Sequence, residues 1–440
     1  MIKLINITKS NHTNLVAIKN KQINKEDCIM GISIGMVGLG SFGSGFVNMF
    51  KAHPLVNRIA FCDMEADRVK KWAEDPFMGH KFNKKDTYST LDEICKSDLD
   101  ALVIITQPWL HAPQCIQAMK AGKHVFSAVP ISSVPDGDEI LEWCDTIIKT
   151  TQSTGKHYML GETSYYHPEV MFMRRKNAEG AFGRFVSAEA EYTHDYNTGG
   201  LRNVIISRTA SQKGQEWPGI LREKYLSRGI RNGPMHYPTH SVSGPVSIMN
   251  AHAVKVSAIG TKPTGYDNFF EIHGDIFSNE TAFFHMSNGA VLTAREHREI
   301  TGHGYEMSIY GTCGTWRNGK WFWTKREYNM SAATHGQEEH TAAEMRDPLP
   351  RNIQKAFMLA EDHSLTAEKV ENMDFTPKGH GGSHPYLVHE FVSAVAEGRI
   401  PAINAWEAAR YMAMGIMAHK SALKDGELLD MPDWGDAPER

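Results

Sequence analysis

The chain has 440 residues, which suits two or three domains with sizeable cores. Its 41% hydrophobic and 22% charged residues are ordinary for a globular protein and argue against a disordered chain. A net charge of −4, with the basic residues scattered, argues against a nucleic-acid surface, and no apolar run is long enough to cross a bilayer.

Residues 1–30 are polar and rich in Lys and Asn, without the apolar centre of a secretory leader; they read as an extension, with Met30 directly before the first strand. The six cysteines form no Cys-x-x-Cys pair and read as reduced thiols of a cytoplasmic protein.

The apolar stretch Ile32, Ile34, Met36 and Val37 reads as a buried strand and runs into Gly38-x-Gly40-x-x-Gly43. Phe46, Val47 and Phe50 then mark the inner face of a helix. The three glycines serve different physical ends. Gly38 allows the tight turn, Gly40 allows close approach to a pyrophosphate, and Gly43 allows helix–strand packing. The helix start, at Ser41 and Phe42, offers free N–H groups and a favourable dipole to phosphate. The pattern is weak evidence alone, so its context matters. A second apolar run, Ile59-Ala-Phe-Cys62, ends in Asp63, where a carboxylate accepts both ribose hydroxyls of an adenosine and repels a 2′-phosphate. The reading is NAD.

Helical spacing over Glu65–Trp72 and Leu91–Cys95 alternates with strands at Thr87-Tyr88 and Ala101–Ile105. His111–Ala121 reads as a helix stopped by Gly122, Lys123–Phe126 as a strand, Asp138–Thr150 as a helix and His157–Leu160 as a strand. This alternation means an α/β fold with a doubly wound, Rossmann-type parallel sheet over 31–160. Ligands of such sheets bind beyond the strand ends. Those ends are Gly38–Gly43, Asp63, Thr106-Gln107-Pro108 with His111, Ala128-Val129-Pro130, and Glu162, and they should line one crevice for the cofactor.

From Phe182 onward strands dominate: Phe185–Tyr192, Val254–Ile259, Glu280–Met286, Ala290–Ala294 and Tyr305–Tyr310, with a hairpin at Asn288-Gly289. Residues 161–380 therefore read as an α+β domain with a large, mostly antiparallel, open-faced sheet. An uncovered face of that kind suggests a homo-oligomer. The polar, His- and Glu-rich stretch from Lys320 to about Asp374 has no clear pattern. The last segment, 381–440, holds two helices, Pro385–Ala396 and Ala405–Leu423, expected to pack back on the nucleotide domain or brace the sheet.

These residues resemble the Gfo/Idh/MocA superfamily, the glucose–fructose oxidoreductase and inositol dehydrogenase group, over about residues 31 to 430. The resemblance rests on the glycine turn, on Thr106-x-x-x-x-His111 followed by Ala118-x-x-Ala121-Gly-Lys-His-Val125 and Pro130, and on Glu397-Gly-Arg-x-Pro401 before Ala405-Trp-Glu-Ala408. One departure is decisive. Where sugar dehydrogenases of this group have Glu-Lys-Pro, this chain has Ala128-Val129-Pro130, and valine can neither donate nor accept a proton. The usual aspartate four residues before a histidine is also replaced, in His236-Tyr-Pro-Thr-His240.

With Tyr192-x-His194-Asp195, Tyr237-x-x-His240, Gly161-Glu-Thr-Ser-Tyr165 and Gly379-His-Gly-Gly-Ser-His384, the chain looks more like the NAD-dependent glycoside hydrolases of that superfamily. That resemblance implies a redox-neutral cycle: hydride removal from C3, loss of the C2 proton, elimination at C1, water addition and hydride return. His240 is the first candidate for acid/base work, because imidazole titrates near neutrality. Tyr237 is a candidate donor to an oxyanion or leaving group, and His194 and Asp195 follow the first strand of the second domain. Glu162 and Tyr165 are placed near the nicotinamide ribose or substrate. The His236/His240 and His380/His384 spacings imitate metal helices, but Pro238 and the glycines oppose regular helix, so no metal is assigned. Two other readings remain: a plain NAD-dependent sugar or inositol dehydrogenase, and a non-catalytic nucleotide-binding protein.

Overall fold

A computed structural model describes residues 31–325 and 334–438; residues 1–30 lie outside it. Its first sheet interleaves β1 (Ile32–Val37), α1 (Ser41–Ala52), β2 (Val56–Cys62), α2 (Ala66–Ala73), β3 (Phe82–Tyr88), α3 (Leu91–Cys95) and β4 (Ala101–Ile104). It continues with α4 (His111–Lys120), β5 (His124–Ser127), α5 (Gly137–Thr154) and β6 (Tyr158–Leu160). All pairings are parallel, in the order β3-β2-β1-β4-β5-β6. β1 and β4 are buried along their whole length, as strands covered on both faces must be. The strand order turns back between β1 and β4, which opens a crevice at their C-terminal ends.

After α6 (Pro168–Ala178) and β7 (Phe185–His194), the chain leaves as α7 (Leu201–Thr209) and α8 (Gln212–Ile220) and returns through α9 (Thr239–Met249). β8 (Ala253–Thr261), α10 (Phe269–His273), β9 (Asn279–Met286), β10 (Val291–His297) and β11 (His303–Gly311) follow. Gly289, with φ +83°, turns β9 into β10. The patternless stretch proves to be structured. β12 (Gly314–Arg317), β13 (Lys320–Lys325) and β14 (Thr334–Glu339) extend the sheet edge, and α11 (Ala342–Met345), α12 (Arg351–Glu361) and α13 (Ala367–Val370) wrap back, α12 onto α1. Their edge position explains the polar sequence: β14 is exposed along almost all its length. The nine-stranded sheet runs β14-β13-β12-β11-β7-β10-β9-β8-β15, with β15 at Leu429–Asp430, and only β7–β10 pair in parallel. One face carries α9 and the last helix; the other leaves Ile259, Phe283 and Val291 exposed.

α14 (His384–Glu397) packs on α1, and α15 (Ala405–Ala422) lies between α5 of the first sheet and β8 of the second. The Leu160 amide donates to the Ile403 carbonyl at 2.9 Å, and Lys420 pairs with Asp138. Among the described residues no helix is long and apolar enough to cross a membrane.

Candidate active site

The strand ends open into a cavity of about 1140 Å³ between the two sheets. Gly38 has φ +91°, and a Cβ there would stand 2.2 Å from the Ile105 carbonyl oxygen. A Cβ on Gly43 would meet the Gly38 carbonyl oxygen at 2.1 Å. At Gly40, by contrast, an added Cβ finds only the Arg68 guanidinium, 3.8 Å away, so the fold itself does not demand glycine there. No side chain caps α1, which leaves the N–H groups at Ser41 and Phe42 for an anion. Asp63 ends β2 and accepts from Leu39 N–H at 2.7 Å and Glu65 N–H at 2.9 Å. An open approach at Gly40, an uncapped helix start and a carboxylate at the next strand end fit a dinucleotide.

The other strand-end residues divide by role. Thr106, Pro108, Ala128 and Val129 line the cavity. The Gln107 amide donates to the Arg208 carbonyl at 3.0 Å and the Ser211 hydroxyl at 2.7 Å, leaving its own Oε1 buried without a partner among the described residues. His111 holds two loops together: its ring nitrogens face the carbonyls of Pro130 at 2.9 Å and Thr106 at 3.2 Å. Burial pushes that imidazole down to about 4, so it stays neutral. Pro130 does not reach the cavity wall; its carbonyl serves His111.

α7 and α8 roof this half of the cavity. Gln212 N–H donates to Glu65 at 2.8 Å, and Trp217 stacks on Trp109 with ring centroids 4.4 Å apart.

The second half is built around His240, on the first turn of α9. Its Nδ1 lies 2.8 Å from Glu162 Oε1, which also accepts Ser164 N–H at 2.8 Å. Glu162 is fully buried and does not line the cavity, so it stands behind the histidine and not at the wall where a cofactor ribose would be met. Burial alone would raise its carboxyl, but His240 and the hydrogen bonds around it hold it below the usual carboxylate range. Burial pushes the His240 imidazole down, and Glu162 more than offsets this, so it titrates above the ordinary range. The result is an oriented base with Nε2 toward the cavity and no hydrogen-bond partner on it among the described residues.

Tyr237 faces the same space, its hydroxyl donating to the Val129 carbonyl at 3.3 Å, with its ring 5.5 Å from that of His240. Tyr192 packs edge-on against His240 at 4.7 Å and its hydroxyl meets His194 Nδ1 at 3.1 Å. Burial, with Arg298 nearby, takes the His194 imidazole down to about 3.

Two candidates are elsewhere. Asp195 turns away from the cavity because its Oδ2 accepts the amides of Asn197 and Thr198 and the Thr198 hydroxyl, closing a turn. Tyr165 lies under the Arg174 guanidinium, 3.9 Å from its ring centroid, outside the cavity. His236 is not on the helix of His240; it packs against His419, ring centroids 4.6 Å apart. His380 and His384 do reach the cavity, beside Phe42, from the glycine-rich turn.

Sequence reasoning missed Arg208, Arg298 and Asp275, all on the cavity wall. For Arg298 a signal existed: the charged run Glu296-His-Arg-Glu closes an alternating strand, where side chains emerge at a sheet end.

An NAD-binding Rossmann domain joined to a sugar-sized acid/base pocket defines an oxidoreductase-type enzyme. Residues 32–161 match the model of the oxidoreductase family with an NAD-binding Rossmann fold, and 166–437 that of the glycosyl hydrolase 109 C-terminal domain. The chain belongs to glycosyl hydrolase family 109, an NAD-dependent glycosidase branch of the Gfo/Idh/MocA superfamily, and NAD is its cofactor. It is 26% identical over 427 residues to a family 109 protein of Streptomyces filamentosus, covering 92% of this chain and 77% of that one. It is 22% identical to an alpha-N-acetylgalactosaminidase of Tannerella forsythia, covering 94% and 88%. Levoglucosan dehydrogenase, solved with NADH and levoglucosan, shares the fold at a TM-score of 0.64 and 17% identity, over 92% of this chain and 100% of that one.

Proposed function

We propose that the protein hydrolyses an α-linked 2-acetamido sugar, a galactosaminide in the first instance, by the redox-neutral route. The carrying observation is the buried Glu162–His240 pair opening into a cavity whose strand-end position is Val129. A lysine-dependent hydroxyl oxidation has no lysine at that position, so the proton goes elsewhere. The relative from Tannerella forsythia supplies the sugar.

When bound, NAD supplies a reversible hydride acceptor for C3. His240 takes the proton of the 3-hydroxyl through Nε2, and Glu162 stabilises the imidazolium. The Tyr237 hydroxyl, turning from the Val129 carbonyl that it meets at 3.3 Å, donates to the oxygen that becomes a ketone. The Tyr192–His194 pair is a second proton site for C2, whose hydrogen the ketone acidifies. The roof formed by α7 and α8 excludes water while the ketone exists.

A second copy of the chain is assigned to the open sheet face around Ile259, Phe283 and Val291. A cytoplasmic setting belongs to the same reading, supported by the free thiols of Cys62, Cys95, Cys115, Cys144 and Cys313.

The test incubates purified protein, with no added cofactor, with an aryl α-N-acetylgalactosaminide in deuterated water. Aglycone release without net NADH, and deuterium at C2 of the sugar, is the expected result. Stoichiometric NADH from free sugars would mark a dehydrogenase, and binding without turnover a non-catalytic protein.

A further inference from the structure

The cavity wall that holds His240 also carries Tyr192, Arg298 and Asp275 of the second domain. Contacts lead there in sequence: the Tyr192 ring, 4.7 Å from His240, is crossed by the Arg298 guanidinium at 5.4 Å from its centroid. Arg298 is itself held by Glu296 Oε2 at 2.8 Å. Next to Arg298 the wall carries one carboxyl that hydride and C2 proton transfer leave unused, Asp275.

Its backbone is fixed. Asp275 N–H donates to the Phe270 carbonyl at 2.8 Å, and residue 275 bridges to Asn232, whose own amide donates to the Gly274 carbonyl at 2.8 Å. Its walls are apolar: Phe269, Phe270 and Phe277 line the same recess. The charged groups facing it are Arg298 from the end of β10, His419 on α15 and Glu280 on β9, with the Asn232 amide from the preceding loop. Burial raises this carboxyl to about 7, against the pull of Arg298 and His419. The Asn232 side chain hydrogen-bonds this carboxyl and adds to that pull, while its own Oδ1 is buried with no donor among the described residues.

An aglycone leaving C1 must exit away from the C3 face turned to the hydride acceptor, and a part of the cavity lined by phenylalanines with one carboxyl suits it. We propose that Asp275 protonates the departing glycosidic oxygen and, as carboxylate, activates the water that replaces it. This rests on the glycosidase reading of the same site. In the forward half, the C2–H proton passes to the base, the C1–O bond breaks, and the Asp275 O–H proton goes to that oxygen, releasing the alcohol. In the return half, the Asp275 carboxylate takes a proton from water as its oxygen bonds to C1, and C2 regains a proton from the base. The sum is glycoside plus water giving sugar plus alcohol.

The discriminating experiment compares wild type and Asp275→Asn on two α-N-acetylgalactosaminides, a 2,4-dinitrophenyl and a methyl glycoside, across pH. A dinitrophenolate leaves without protonation, whereas methoxide does not. The expectation is a loss of about 10²–10⁴-fold in kcat on the methyl glycoside but roughly threefold or less on the dinitrophenyl one, with the fall above pH ~7 abolished for the methyl substrate. NAD content and thermal melting report folding. If the asparagine variant does not fold, Asp275→Gly with added formate takes its place, and formate must restore methyl glycoside turnover. An equal loss on both substrates, no loss on either, or no rescue in an NAD-loaded glycine variant overturns the assignment alone. Wild-type protein that holds NAD yet releases neither aglycone overturns the glycosidase reading and this assignment with it.

Discussion

Glu162→Gln isolates the charge of one buried carboxylate from its shape. Glu162 Oε1 makes two bonds, from Ser164 N–H and His240 Nδ1, both at 2.8 Å. Bonds to a charged group are worth about 1.5–3 kcal/mol and neutral ones about 0.5–1.5, so the two together lose roughly 2–3 kcal/mol, partly offset because the amide is less costly to bury. The effect on rate is larger. Without the carboxylate, the burial that pushes the His240 imidazole down loses its main counterweight, so the imidazole falls, and a glutamine amide can select the wrong tautomer. A fall in kcat of about 10²–10⁴-fold is expected. Stability has a sign that can be checked. His240 is raised above 6.5, so its contribution is full below 6.5 and lost as pH rises through the raised value. Glu162 is lowered below 4.5, so its contribution is full above 4.5 and lost as pH falls through the lowered value. Wild type should thus gain most over the variant between 4.5 and 6.5. Aglycone release and thermal melting, both followed against pH in NAD-loaded protein, measure the two effects. A variant with full turnover and an unchanged melting profile would refute the dyad.

Gly40→Ala should fold normally, since the nearest atom is 3.8 Å away, yet weaken NAD by about tenfold or more in calorimetry. Gly38→Ala, at φ +91° and 2.2 Å from a carbonyl oxygen, should instead lower the melting temperature. Asp63→Ala should weaken NAD and relax its preference over NADP, measured by competitive titration; an unchanged preference would refute the ribose role. Phe283→Asp, on the open sheet face, should halve the mass seen in light scattering while leaving the monomer folded.

The dinucleotide cradle was legible because its chemistry is local: three glycines, a helix start and Asp63 at the following strand end. His240 and Tyr237 were legible as a motif, and the cavity brings them together with Tyr192 and His194. The role of Glu162 was not, since its partner lies 78 residues away and only the docking of α9 joins them. Asp195 and Tyr165 stand in motif-like strings, but their directions are decided by neighbours: Thr198 captures one and Arg174 covers the other. Asp275 carried no periodic signal at all, and Arg298 only that of a charged run closing an alternating strand; the fold brings both to the cavity wall. Edge strand β14 escaped notice because a strand exposed along almost all its length needs no apolar alternation.

The wedge made by α15 has a mechanical corollary. A helix gripped by α5 on one side and β8 on the other fastens the two lobes and opposes their swinging apart to admit a sugar. Entry and exit are left to the tryptophan-latched roof. Because residues 405–422 are made after nearly all of both lobes, a nascent chain carries two almost complete sheets before the helix that wedges between them is made.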